Sequence, residues 1–389
     1  MRAVASAQAV IIGAGVIGAS VAWHLASLGM RDLILLEREA RVGLGSTGRA
    51  TGGFRAQYGT EINVRLSLLS REKLRRFPEE LQVDPGYRPC GYLWLSRSQG
   101  ELTRFRAALR IQHQCGLSEA RLLGVGEIAA INPQVSLLGL VGAAWCPTDG
   151  FIWPLEILRG YLQGAQRLGA RLVSGSRLLG FRKVKGRISA VQTEQGEIDT
   201  GLVIDAAGPW AREVAQLAGV DLPVFPLRRQ VAATVPTTVL PAEMPMTLWA
   251  DDGFHLRVRD GRVLLLKPTP GNPADPYDTS LEPGFLDDLA RVARERVPAL
   301  AAVEIDRASS WTGLYEMSPD QHALLGASLE CPNFFLCNGS SGHGVMHAPA
   351  LGQLLAEEIV YGAARSLDAR ALRPSRFAEG QPIQSPETL

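Results

Sequence analysis

The sequence predicts an α/β chain, α+β overall: a Rossmann-like dinucleotide-binding domain joined to a second domain built on an antiparallel β-sheet. Three observations carry this. A GxGxxG motif follows a short apolar run near the N-terminus, β-type runs joined by Pro- and Gly-rich segments recur in the second half, and 389 residues suit two domains better than one core.

Composition narrows the classes. With 46% apolar and 20% charged residues, the chain has enough material for a large core. The 40 Lys and Arg nearly cancel the 39 Asp and Glu, so no net field draws it onto nucleic acid or an anionic membrane surface. Five cysteines show neither CxxC nor repeated spacing, so no metal site and no disulfide framework is expected, and a reducing cytoplasm fits. No apolar run approaches the roughly 20 residues of a membrane span, and the apolar N-terminus runs into the glycine motif without a cleavage site.

In chain order, the apolar run Ala9–Ile12 is too short for a helix and precedes glycines, as a buried parallel strand does. Residues 16–28 form an amphipathic helix with Ile17, Val21, Leu25 and Leu28 on one face and Gly29 at its C-terminus. Leu33–Leu36 is a second buried strand. Pro154 opens a helix over residues 154–168, stopped by Gly169. The runs Arg171–Val173, 178–184 and 188–193, with turns at Lys185-Gly186 and Gln195-Gly196, read as a small meander. Residues 202–206 form another buried strand, which Gly208-Pro209 turns into the helix carrying Trp210 and Val214. Residues 231–235, 255–258 and 263–266 belong to the β-rich second domain. Residues 334–337 are a strand, followed by a glycine-rich loop and a helix over residues 349–361.

Gly13, Gly15 and Gly18 form the motif Gly13-Ala14-Gly15-Val16-Ile17-Gly18, and Glu37 follows about 20 residues on, at the end of the second strand. The first glycine permits the turn, the second admits a pyrophosphate, and the third lets helix and strand pack closely. The amides at Val16 and Ile17 open the helix and face the phosphates. A carboxylate at Glu37 accepts from ribose hydroxyls and repels the extra phosphate of NADP. These residues alone leave NAD and FAD both open.

Beyond Glu37 and Arg38, the stretch Gly45-Ser46-Thr47-Gly48-Arg49-Ala50-Thr51-Gly52-Gly53-Phe54-Arg55 resembles the D-amino-acid oxidase superfamily of FAD-dependent oxidoreductases, nearest its sarcosine oxidase and proline dehydrogenase β-subunit branch. Further matches follow in the family's order: Asp149-Gly150 with Pro154, Ala206-Ala207-Gly208-Pro209-Trp210, Pro226-Leu227-Arg228-Arg229-Gln230, residues 311–320, and Gly339-Ser340-Ser341-Gly342-His343-Gly344. The resemblance implies FAD as cofactor. It also implies a discontinuous FAD domain (1–84, 145–215 and 320–389) and a substrate domain (85–144 and 216–319) whose sheet covers the flavin.

It implies roles as well. Gly45, Ser46 and Thr47 match positions at the pyrophosphate, although hydroxyls there also satisfy their own turn. Gly52 and Gly53 match the stretch beside the flavin, and Ala207 and Gly208 the strand-turn. Leu178 matches a position at the adenine and reads equally as core. Gly342, His343, Gly344, Val345 and Met346 match the segment at the flavin pyrimidine edge, where backbone amides stabilise charge on reduction. His343 itself is either a polar loop residue or a chemical participant.

Two departures from the oxidases stand out. The lysine that promotes reaction with oxygen, two residues after the Gly-His-Gly, is Met346 here, which points to a dehydrogenase. Gly313 replaces the cysteine that tethers FAD, and the histidine tether of dimethylglycine-type relatives is missing near Arg49, so the FAD is expected to be noncovalent.

By resemblance, the reaction removes a hydride from the carbon bearing the nitrogen of a small secondary amine or amino acid, such as proline or sarcosine, and delivers it to flavin N5. Electrons then pass to an acceptor or carrier. Arg55 matches the substrate-carboxylate ligand. Arg257 is a second candidate; His255, two residues earlier on the same strand face, either contacts substrate or fills the sheet. Tyr315 is a weaker candidate. The β-subunit likeness raises a partner subunit. An oxygen-using amino-acid oxidase that makes peroxide and a noncatalytic flavoprotein with an assembly role are the alternatives.

Overall fold

A computed structural model of the chain describes residues 5–384. Its first layer is a six-stranded sheet in the order Leu324–Ala327, Phe334–Asn338, Val203–Asp205, Ala9–Ile12, Leu33–Leu36, Arg171–Val173. All pairings are parallel except that of the edge strand Leu324–Ala327. Alternation along the strands explains the unbroken apolar runs. Ala9, Ile11, Leu33 and Leu35 join one core with the helices Val16–Ser27, Glu61–Leu81, Pro154–Arg167 and Gly344–Tyr361, whereas Val10, Ile12, Ile34 and Leu36 join another on the opposite face.

That opposite face is covered by the meander Leu178–Val184, Arg187–Thr193 and Gly196–Thr200, together with the helix Ala211–Leu217. Arg171–Val173, expected in the meander, is instead the edge of the central sheet, pairing in parallel with Leu33–Leu36. A three-residue run pairs wherever a complementary edge lies, and its composition does not say which.

The second layer is an eight-stranded sheet in the order Trp311–Met317, Phe225–Ala233, Arg262–Leu266, His255–Arg259, Met246–Trp249, Tyr92–Ser96, Gly142–Cys146, Arg121–Leu123. It is antiparallel apart from the parallel pair Met246–Trp249 with Tyr92–Ser96. One face packs on the helix Phe285–Arg296 through Leu93, Leu256 and Leu265. The other, with Trp94, Val231, Leu248 and Leu266, faces the first layer. Two spans differ from the sequence expectation: the strand expected over 231–235 runs Phe225–Ala233, and Gly142–Cys146 crosses the expected boundary at 144/145. The helix Glu61–Leu81 carries Pro78 inside it and links the layers.

The last helix begins at Gly344, five residues before the expected start, with Pro349 inside it. A proline suits a helix's first turn because it lacks an N–H, but here buried packing of Ala348, Ala350 and Leu351 holds the helix through it.

Candidate active site

The nucleotide end is assembled where the first strand meets the first helix. Gly13 has φ +99°, and a Cβ there would stand 2.5 Å from the Ala206 carbonyl oxygen. A Cβ at Gly18 would stand 2.0 Å from the Gly13 oxygen, so helix and turn approach only because both are glycine. At Gly15 the nearest atom to a Cβ is Thr47 Oγ1 at 3.4 Å, and a side chain would project into the cavity that Gly15 lines. Thr47 Oγ1 accepts from the Val16 amide at 3.1 Å, which removes that N–H from the donors available to a phosphate but leaves the Thr47 hydroxyl proton. Ser46 donates its hydroxyl to the Leu314 carbonyl at 2.7 Å, so its remaining donor is the backbone amide that opens the short helix Ser46–Arg49 after Gly45.

Glu37 stands at the end of Leu33–Leu36 and accepts from the Glu39 amide at 3.0 Å. Burial pushes its carboxyl up, against the opposing amides of Glu39 and Ala14. With Arg38, Leu178, Ala207 and Gly208 it lines a cavity of about 1000 Å³. On its other wall the guanidinium of Arg38, a cofactor-binding candidate from the sequence, lies 3.7 Å from the Trp210 ring centroid, and Tyr277, which the sequence did not mark, stacks on Trp210 with 5.9 Å between centroids. Tyr277 sits in a Pro- and Gly-rich connection with no periodicity to mark it.

This cavity and a second, of about 290 Å³, share Gly15, Ser46, Thr47, Arg49 and Gly208, forming one channel from Glu37 to the face of the large sheet. An extended dinucleotide fits its chemistry: an acidic group at one end, a glycine and helix amides in the middle, and a flat apolar roof at the other.

At the roofed end, Gly52 has φ +78° and Gly53 faces Met246 and Tyr92. The loop before the last helix brings Gly342 against Tyr315, where a Cβ would stand 2.5 Å from the ring. The His343 amide donates to the Ser340 carbonyl at 2.8 Å, so the donors aimed into the cavity are those of Gly344, Val345 and Met346, the first helical residues. Met346 is buried, and Tyr58 donates its hydroxyl to the sulfur at 3.2 Å.

Arg55 lines the same cavity. Its Nη1 donates to the Gln57 carbonyl at 3.0 Å, its Nη2 lies 3.3 Å from His343 Nε2, and the guanidinium covers Tyr58 and Trp94. Asp149 feels its field but is tied to the amides of Ala56 and Gln57, and burial pushes that carboxyl up to about 6. His255 lines the cavity too. Its Nδ1 lies 2.8 Å from the Gly253 carbonyl, to which it can only donate, leaving Nε2 an acceptor; burial, then the fields of Arg55 and Arg229, hold its pKa down.

Arg257 is placed differently from expectation. It is 4% exposed and its Nη1 donates to the carbonyls of Thr51 at 2.7 Å and Gly52 at 3.0 Å, while Phe151 lies against the guanidinium. It shares a strand face with His255 but anchors the loop beside the cavity and does not line it. Arg229 does line the cavity, and the sequence reading assigned it no role. Two buried carboxyls, Glu316, which lines the cavity, and Asp205, each keep one oxygen without a hydrogen-bond partner among the described residues. Burial pushes Asp205 up to about 8 and Glu316 up to about 7.

Comparison with known proteins agrees with this architecture. A family profile described as FAD dependent oxidoreductase matches residues 8–358. The solved structure of L-proline dehydrogenase from P. horikoshii is 28% identical and superposes with a TM-score of 0.89, covering 98% of this chain and 100% of that one. FAD-dependent oxidoreductase domain-containing protein 1 of Xenopus laevis is 26% identical over 97% of this chain and 84% of its own length. 4-Methylaminobutanoate oxidase (formaldehyde-forming) of Paenarthrobacter nicotinovorans is 26% identical over 96% of this chain, which spans only 46% of that relative. No helix among the described residues is long and apolar enough to cross a membrane. With its glycine turn, dinucleotide channel and sheet-roofed cavity, the chain belongs to the FAD-dependent oxidoreductase family.

Proposed function

We propose that this enzyme oxidises a small secondary amine or amino acid, bound through its carboxylate to Arg55, and passes the electrons to a carrier in preference to oxygen. The observation that carries the reading is Arg55: buried, lining the cavity, and held by a carbonyl, two aromatic rings and a histidine, with no carboxylate among these contacts. Such a cation is ready for an anionic ligand. The relatives agree in kind, since proline and 4-methylaminobutanoate are both carboxylates bearing a secondary amine.

FAD, when bound, supplies the hydride acceptor at N5. The protein's part is positioning. Arg55 orients the carboxylate, the neutral His255 offers an acceptor to the amine N–H, and Tyr92, Trp94, Met246 and Leu248 exclude water. The amides of Gly344, Val345 and Met346, with the helix behind them, favour negative charge at their end of the cavity. Position 313 is glycine, which supports a noncovalent flavin.

The test is anaerobic. The flavin band is followed on adding proline, sarcosine and a panel of amino acids. Bleaching reversed by an artificial acceptor but hardly by air supports the reading. Rapid reoxidation in air with peroxide would replace it with an oxidase, and bound flavin that no amine reduces would sink it.

A further inference from the structure

Arg228 and Arg229 are adjacent on the strand Phe225–Ala233 and project to opposite faces. Arg228 is neutralised, with Asp278 at 3.6 Å and Glu282 at 3.3 Å. Arg229 projects into the cavity. Its Nη1 donates to the Arg228 carbonyl at 3.2 Å and its guanidinium carbon lies 5.7 Å from the Tyr315 ring; no carboxylate among the described residues pairs with it.

Pairing in the large sheet places this second cation. Arg229 lies opposite Gly313, and the next row crosses the roof as Val231, Leu266, His255, Leu248 and Trp94. Arg55 covers Trp94 at the far end of that row. Four strand spacings of about 4.8 Å separate the backbones at the two ends, but the side chains converge: Arg55 meets His343, whose neighbour Gly342 packs against the Tyr315 ring that the Arg229 guanidinium approaches. The two guanidiniums share no hydrogen-bond partner among the described residues, and His255 and Tyr315 feel the fields of both. A half-buried cation on a largely apolar roof costs desolvation energy that an anionic ligand would offset.

We propose that the substrate is a dicarboxylate amine, its α-carboxylate on Arg55 and a second, side-chain carboxylate on Arg229. This deepens the amine-oxidation reading and rests on it. Arg229 is then the residue that selects acidic substrates over neutral ones of the same shape.

The experiment compares N-methylglutamate with N-methylglutamine, which differ in charge and hardly in shape, as anaerobic reductants of the flavin-loaded enzyme. The native protein is expected to favour N-methylglutamate by about 30-fold or more in reduction rate over Kd, the size expected of a charge pair in a partly desolvated site. Arg229→Gln should collapse that ratio toward one, and Arg229→Lys should retain part of it. No preference in the native enzyme, or a preference that survives Arg229→Gln, overturns the proposal. Loss of flavin from Arg229→Gln and Arg229→Lys alike would also overturn it, assigning Arg229 to the cofactor. A redox-inert pair separates this from the parent reading: glutarate should perturb the flavin spectrum at much lower concentration than butyrate in the native enzyme but not in Arg229→Gln. If no amine reduces the flavin yet glutarate still depends on Arg229, amine oxidation fails and the two-anion site stands. Equal binding of glutarate and butyrate removes the site.

Discussion

The Arg55 guanidinium lies 3.3 Å from His343 Nε2, and since a guanidinium only donates, the imidazole accepts and is neutral. Burial and the field of Arg55 both hold the His343 pKa well below its usual value. His343 therefore steadies the cation without competing with a carboxylate ligand. Arg55→Gln is expected to raise the substrate KM by about 30-fold to 1000-fold, as for a truncated buried charge contact, with flavin content unchanged. Arg55→Lys should recover part of the loss. Steady-state kinetics with flavin quantitation decides it, and an unchanged KM would remove Arg55 from the site.

Flavin retention should depend on two glycines. Gly18→Ala places a methyl 2.0 Å from the Gly13 oxygen, and Gly342→Ala places one 2.5 Å from Tyr315 at φ +89°. Both must shift the backbone that lines the channel. Each variant is expected to purify with less flavin and to bind added FAD at least about tenfold more weakly, a cost of about 1.4 kcal/mol. Flavin fluorescence titration measures it.

Stability should respond to pH through Glu316. Its folded pKa, about 7, lies above the unfolded carboxylate range, so between roughly pH 4 and 7 the folded chain holds a proton that the unfolded chain has lost. Stability from this group therefore falls as pH rises through that window. Asp205, pushed up to about 8, acts in the same sense, whereas the buried His343 and His347, with lowered pKa values, act oppositely below about 6.5. Comparing variants isolates the carboxyl. Glu316→Gln should gain stability relative to the native protein as pH rises from 5 to 8, by roughly 2 kcal/mol. Denaturant titrations at several pH values test this, and a difference independent of pH would count against it.

By its resemblance to the sarcosine oxidases, Met346 stands where those enzymes carry the lysine that promotes reaction with oxygen. Met346→Lys, with flavin content checked because the side chain is buried beside Tyr58, is expected to raise peroxide formation by at least on the order of tenfold, as a preoriented charge at the reacting centre would. Peroxide release coupled to amine oxidation is the readout. No increase in a flavin-replete variant would mean that another feature governs the acceptor.

Much of the cofactor end was legible in the sequence because it rests on short-range constraints. The turn at Gly13, the close approach at Gly18 and the acidic end of Leu33–Leu36 are each set by a few neighbouring residues, and apolar runs such as Ala9–Ile12 announce burial on both faces. The substrate end was less so. Strand alternation correctly put His255 and Arg257 on one face, but only the packing of the loop at Thr51 and Gly52 decided that Arg257 would be engaged by backbone carbonyls.

The sequence alone determined the two-layer architecture, the dinucleotide turn and the family. Only the tertiary structure decided that Arg171–Val173 edges the central sheet, that the last helix starts at Gly344, and that Arg229 shares the roofed cavity with Arg55. Local pattern records which face a residue presents, whereas the neighbour it meets there depends on pairings between segments far apart in the chain, and these leave no mark in either segment.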